Sequence, residues 1–165
     1  MISKFLNKNF YINFSIVISV YFFDRLTKMF VIQLDKNNLG SDIFNSTYLN
    51  IVLIWNKGIA FGLLSFNEDY LYNILSIIIS MIVVVLVIMS IKSQGFKRYS
   101  LLMVIGGALG NLHDRIFFKA VPDFIDFHIG SFHWFIFNVS DIFITFGIIF
   151  LIVLEISSNK EEKYE

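Results

Sequence analysis

Four stretches of the chain are apolar for long enough to cross a bilayer, and charges enter them only at particular depths. A spanning helix needs about 20 mainly apolar residues. Residues 70–91 meet this without a single charge, and residues 136–155 do so with Asp141 near their start. Residues 10–34 stay apolar until they reach Asp24, Arg25 and Lys28. Residues 99–118 gather His113, Asp114 and Arg115 near their end. Two shorter segments read as strands instead. Residues 48–55 are largely apolar and partly β-branched, and within residues 132–137 Phe132, Trp134 and Ile136 fall on one face. The pattern predicts an α-helical membrane protein with four transmembrane helices and a small extracytoplasmic β-sheet, in one domain over residues 1–165. Residues 35–69 and 119–135 form its extracytoplasmic segments, and no repeat or linker divides it.

Lysine and arginine set the expected orientation. Lys4 and Lys8 precede the first span, Lys92, Lys97 and Arg98 fill the turn between the second and third, and Lys160 and Lys163 follow the fourth. Both termini and that turn are therefore expected in the cytoplasm. The first span resembles a secretory signal in its basic start, but no small-residue cleavage site follows, so it is expected to be retained.

Composition narrows the class further. Hydrophobic residues make up 56% and charged ones 16%, against about 25% charged in a soluble domain. That excludes a water-soluble globule and a disordered chain alike. Thirteen basic residues balance thirteen acidic ones, so no electropositive face for nucleic acid is implied. The absence of cysteine removes disulfides, thiol nucleophiles, thiolate metal sites and prenyl or palmitoyl anchors.

An ionisable side chain inside a span costs about 2.5–3.5 kcal/mol on insertion scales and points to function by default. Asp24, Lys28, Asp114, Arg115 and Asp141 are such residues. Each also has a plainer reading. Asp24 and Lys28 share a helix face and can simply pair, and Asp114 and Arg115 can snorkel to the interface. Asn111 and Arg115 share a face by their spacing, as do Asn138 and Asp141, and an asparagine in a span commonly joins helices. His113, His128 and His133 show no metal-ligand spacing and are read as interfacial or solvated. The segment Val121-Pro122-Asp123-Phe124-Ile125-Asp126-Phe127 places two carboxylates in an aromatic setting just after the third span, and Asp141 opens the fourth. Two close, buried carboxylates cannot both ionise cheaply, so they share a proton and supply one acid and one base. Amide hydrolysis by activated water needs that combination, with any two of the three acids able to serve. A serine–lysine peptidase built on Lys28 lacks a suitable serine setting. A transporter would want midplane charges and an internal repeat.

Five ordered blocks then resemble the lipoprotein signal peptidases, the type II signal peptidases of bacteria. They read Asp24-Arg25-Leu26-Thr27-Lys28, Asn56-Lys57-Gly58-Ile59-Ala60-Phe61-Gly62, Gly106-Gly107-Ala108-Leu109-Gly110-Asn111-Leu112-His113-Asp114-Arg115, the Val121–Phe127 segment, and Phe137-Asn138-Val139-Ser140-Asp141. Pro122 stands where the family usually has valine, and Ser140 where it usually has alanine. The resemblance implies that Asp123 and Asp141 are a catalytic aspartyl dyad working without metal or cofactor. It implies a diacylated prolipoprotein substrate, cut before the lipid-modified cysteine in the bacterial inner membrane, with the active site near the outer face. Asp24, Lys28, Asn56, Asn111, Arg115 and Asn138 are expected to bind substrate or support the dyad, and membrane lipid and a monomeric state are expected. Asp126 receives no role and is expected to face water. Gly106, Gly107 and Gly110 are expected to allow close helix approach.

Overall fold

The computed structural model describes residues 8–37, 43–58 and 69–161. Each predicted apolar stretch is a helix: α1 (Lys8–Asn37), α2 (Asp69–Lys92), α3 (Gly95–Phe118) and α4 (Val139–Glu161). By length and apolarity, three segments among the described residues can cross a membrane: Tyr72–Lys92, Gly95–Phe118 and Val139–Ser157. Helix α1 is long enough, but Asp24, Arg25 and Lys28 sit in its interior and lower its apolarity. Helix α4 starts three residues later than the predicted 136, because residues through Phe137 extend a strand and Asn138 caps the helix.

Between the helices lies an antiparallel sheet of β1 (Phe44–Asn45), β2 (Leu49–Asn56), β3 (Val121–Ile129) and β4 (Phe132–Phe137), in that spatial order. The strands expected at 48–55 and 132–137 are β2, displaced by one residue, and β4. The segment 119–135, read above as a connection, contributes β3 as well. Helix α3 ends at Lys119, which adopts a left-handed φ of 56°, and the chain turns directly into β3. Pro122 is tolerated in an inner strand because β4 pairs with β3 only from Ile125 onward. Opposite Pro122 stands Trp55 of β2.

Helix α3 packs against the other three helices, and more than half of its spanning window is buried. Helix α2, by contrast, is 11% buried over its apolar window and presents most of its surface outward. The sheet is fixed to the helices by a cluster of Val31 from α1, Phe124 from β3 and Val139 from α4, with Ile51, Leu53 and Phe143 around it. Helix α3 approaches its neighbours closely at three glycines, and a Cβ on Gly106 would lie 2.8 Å from Val20 Cβ of α1. A Cβ on Gly107 would lie 2.6 Å from the Ser140 carbonyl oxygen, and one on Gly110 would lie 2.6 Å from Asp24 Oδ2. The close packing brings the start of α4 against the polar stripe of α1 and α3.

Gly107→Ala is expected to destabilise the protein by about 1–3 kcal/mol, because backbone rather than a flexible side chain must move. Gly130→Asn, at a turn with φ of +60° and open space around it, should have a far smaller effect. Thermal midpoints in detergent compare the two.

Candidate active site

The site is built on the first turn of α4. Asn138 Oδ1 accepts the Asp141 backbone N–H at 3.2 Å, and Asp141 Oδ2 accepts the Asn138 backbone N–H at 3.2 Å. This reciprocal arrangement satisfies helix-start donors in the manner of a capping box. The Asn138 side chain has its amide nitrogen left over, and it donates to Asp123 Oδ1 at 2.6 Å. One residue therefore joins a carboxylate on β3 to another on α4.

The remaining carboxylate oxygens are held by two more asparagines. Asn56, at the end of β2, donates to Asp123 Oδ2 at 2.9 Å, and its own oxygen accepts the Gly58 N–H at 2.7 Å. Asn111 of α3 donates to Asp141 Oδ1 at 2.8 Å, and its oxygen accepts from Lys28 Nζ at 2.8 Å. In each amide the second contact fixes which end faces the carboxylate. Asp123 and Asp141 are buried, at 3% and 8% exposure, and each of their four oxygens receives an N–H. Burial, and then the neighbouring Asp141 carboxylate, push the Asp123 carboxyl up to about 6, against the opposing pull of its amide donors and Lys28. A group poised there can exchange a proton near neutrality.

Behind Asn111 lies a buried charge network. Lys28 Nζ donates to Asn111, to Asp114 Oδ2 at 2.8 Å and contacts Asp24 Oδ2 at 2.9 Å. Arg25 grips Asp114 with two nitrogens, at 2.5 and 2.7 Å, and reaches Asp24 at 3.0 Å. Asp24 Oδ1 accepts the Ser140 backbone N–H at 3.0 Å, which ties α1 to the start of α4. Two cations thus face two anions. Arg25 and Asp114 were not among the site residues expected from sequence, although charges inside spans were the signal that partners must exist. Arg115 donates to the Asn111 carbonyl and to the Gly58 carbonyl, both at 3.2 Å, linking α3 to the end of β2.

Two sequence expectations are corrected here. Asp114 and Arg115 do not snorkel, being 0% and 5% exposed, because α1 and the β2 end supply partners inside. Asp126 does not face water either: it is 4% exposed, with Asn50 Nδ2 at 3.3 Å and His133 Nδ1 at 2.9 Å. Its strand runs between β2 and β4, and that register encloses it away from Asp123 and Asp141. His113, read as interfacial or solvated, is half-buried and hydrogen-bonded to the Tyr21 hydroxyl at 2.9 Å. Of the second sequence block, Ile59, Ala60, Phe61 and Gly62 lie outside the described residues. Beside Asp141 opens an apolar cavity of about 320 Å³, lined by Trp134, Phe135, Phe137, Ile142 and Phe146 among others.

Lys28→Met leaves one cation between two buried carboxylates, and is expected to cost about 3–5 kcal/mol, read as a lower detergent melting point and a poorer yield. For Asp123 the folded protein binds its proton more tightly than the unfolded chain does. Its contribution to stability is therefore complete below about pH 4 and is lost as pH rises through about 6. Relative to Asp123→Asn, the wild type should lose about 3 kcal/mol between those limits and nothing further above them. Parallel denaturation series of the two proteins across pH measure this directly.

Known proteins resemble the chain in sequence and in fold. The profile of signal peptidase (SPase) II matches residues 16–157. The chain is 46% identical over 158 residues to the lipoprotein signal peptidase of Pelagibacter ubique, covering 96% of this chain and 95% of that one. It is 39% identical over 141 residues to the lipoprotein signal peptidase of Anaplasma phagocytophilum, covering 84% and 87% of the two chains. A bacterial membrane enzyme solved by the in meso method superposes with a TM-score of 0.74 at 30% identity, over 93% of this chain and 92% of that one. A profile match over most of the chain, these identities and a shared fold place it among proteases of the membrane: the chain belongs to the signal peptidase II family.

Proposed function

We propose that the chain is an aspartic endopeptidase that removes signal peptides from diacylglyceryl-modified bacterial prolipoproteins, cutting just before the lipid-modified cysteine. The observation that carries this reading is the pair of buried carboxylates, Asp123 and Asp141, bridged by Asn138. A water between them is activated when the ionised carboxyl takes its proton while the protonated one donates to the scissile carbonyl. The tetrahedral intermediate collapses as a carboxyl returns a proton to the leaving amine. The bond broken is the peptide C–N bond, and water supplies the new C–O bond. Asn56, Asn111 and Asn138 orient the two acids, Asp24 and Lys28 hold Asn111 in place, and Arg115 braces the end of β2. The apolar cavity beside Asp141 suits the acyl chains of the substrate.

In this reading all of residues 1–165 form one integral membrane domain, with α1 as a fourth span. The charges of α1 are acceptable at that depth because they are neutralised against α3 rather than offered to lipid. The lysine and arginine distribution puts both termini in the cytoplasm and the sheet and dyad at the outer face of the inner membrane. The enzyme works as a monomer amid membrane lipid, with the aspartates as its reactive groups.

Purified protein in detergent, given a diacylated prolipoprotein, should release the signal peptide. Asp123→Asn and Asp141→Asn should each lower cleavage by about 100-fold to 10,000-fold while the protein stays folded. The double variant should be no worse than either single one, since the two act as a unit. Full activity in either single variant would refute the assignment. Single cysteines at Asn37 and Ser93 test the topology, and labelling of position 93 from outside intact cells would contradict it.

A further inference from the structure

Away from the dyad, the β3–β4 hairpin brings together three residues that no part of the proposed reaction uses. His128 and His133 stand directly opposite each other across the two strands, and Asp126 precedes His128 by two positions on β3. One ligand atom from each of the three lies within 4.8 Å of the others. Their spacing along the chain follows no familiar metal motif, because the juxtaposition is made by strand pairing.

Further observations point to a ligand rather than to an ion pair alone. His128 Nδ1 is buried and has no hydrogen-bond partner, a state that buried ring nitrogens rarely keep. The two imidazoles lie nearly parallel, 18° apart with centroids separated by 4.9 Å, so they do not hydrogen-bond edge to edge. Asp126 Oδ2 is 2.9 Å from His133 Nδ1, and opening this contact by about 0.5 Å gives the separation of two ligands on one tetrahedral ion at about 2.0–2.2 Å each. Asn50 donates to the same carboxylate at 3.3 Å, the kind of outer contact that orients a ligating oxygen. The His133 side chain is 53% exposed, which leaves a path for an ion to enter and room for water to complete its coordination.

We propose that Asp126, His128 and His133 form a binding site for a divalent d-block cation of the zinc class, clamping β3 to β4. Two imidazoles and one carboxylate are a donor set that zinc and its neighbours accept and that magnesium and calcium do not favour. Three protein ligands leave a fourth position for water. Asp123 lies three residues before Asp126 on β3, so a bound cation stiffens the strand that carries it without touching its carboxylate. The site is independent of the peptidase reading.

Tag-free full-length protein in detergent, titrated with zinc chloride alone in a calorimeter, should bind one ion per chain. His128→Gln and His133→Gln should each weaken binding by more than about 100-fold, beyond the usual effect of losing an outer contact. Zinc should also raise the melting point of the wild type and leave those variants unchanged. Cobalt in place of zinc should give tetrahedral absorption bands that the variants lose. His133 is exposed, so its variant should fold even if the His128 variant does not. Absence of binding to folded wild type up to about 1 mM zinc, or equal affinity in wild type and the His133 variant, overturns the proposal.

Discussion

The structure depends on where the Lys28 ammonium goes. It is fully buried, and moving such a charge out of water costs several kcal/mol even after relaxation. Its three contacts, to Asp24, Asp114 and Asn111, match the number of protons an ammonium can donate. With Arg25 added, the group is electrically balanced and joins α1 to α3 in one cluster. Asp24 extends it to α4 through the Ser140 backbone. The close approach at Gly110, where any Cβ would meet Asp24, follows from the same requirement. If the cluster were incomplete, each remaining charge would be buried without compensation, so these helices meet in one arrangement.

The cluster also determines the chemistry beside it. Asn111 has its oxygen committed to Lys28, so its nitrogen must face Asp141. Two kinds of buried carboxylate result. Asp24 and Asp114 are held directly by cations, whereas Asp123 and Asp141 are held by amides. Neutral donors fix the position of a carboxylate without the full electrostatic pull of an adjacent cation. That is why Asp123 lies near 6 rather than in the ordinary range, with burial and Asp141 prevailing over its hydrogen bonds. Substituting a cation at Asn56 or Asn138 would hold the carboxylate equally well and spoil it as a proton carrier.

The helices were legible because a long apolar run admits few alternatives, and β4 because Phe132, Trp134 and Ile136 alternate cleanly. β3 was hidden by Pro122 and by aspartates at inward positions, features that ordinarily argue against an inner strand. Its register depends on β2, some seventy residues earlier, and is not written in the segment itself. The same limit governed the site. Spacing within a helix or a cap correctly linked Asp24 with Lys28 and Asn138 with Asp141. Residue chemistry alone left three acids able to form a pair, and only the pairing of β3 with β4 shows Asp126 turned to His133. Arg25 with Asp114 is another case in which need was evident from sequence but the partner was not.

Asp123 and Asp141 act as one electrostatic unit only if each carboxylate alters the protonation of the other, and the pH titration of the Asp123 carboxyl reads that coupling. Infrared difference spectra of aspartate-labelled protein, taken against Asp123→Asn, isolate that group in the wild type and in an Asp141→Asn background. The expected midpoint is about 6 in the wild type and lower once the neighbouring carboxylate is gone. A wild-type midpoint near the ordinary value of 3.8, or one that Asp141→Asn leaves unchanged, would contradict the coupling.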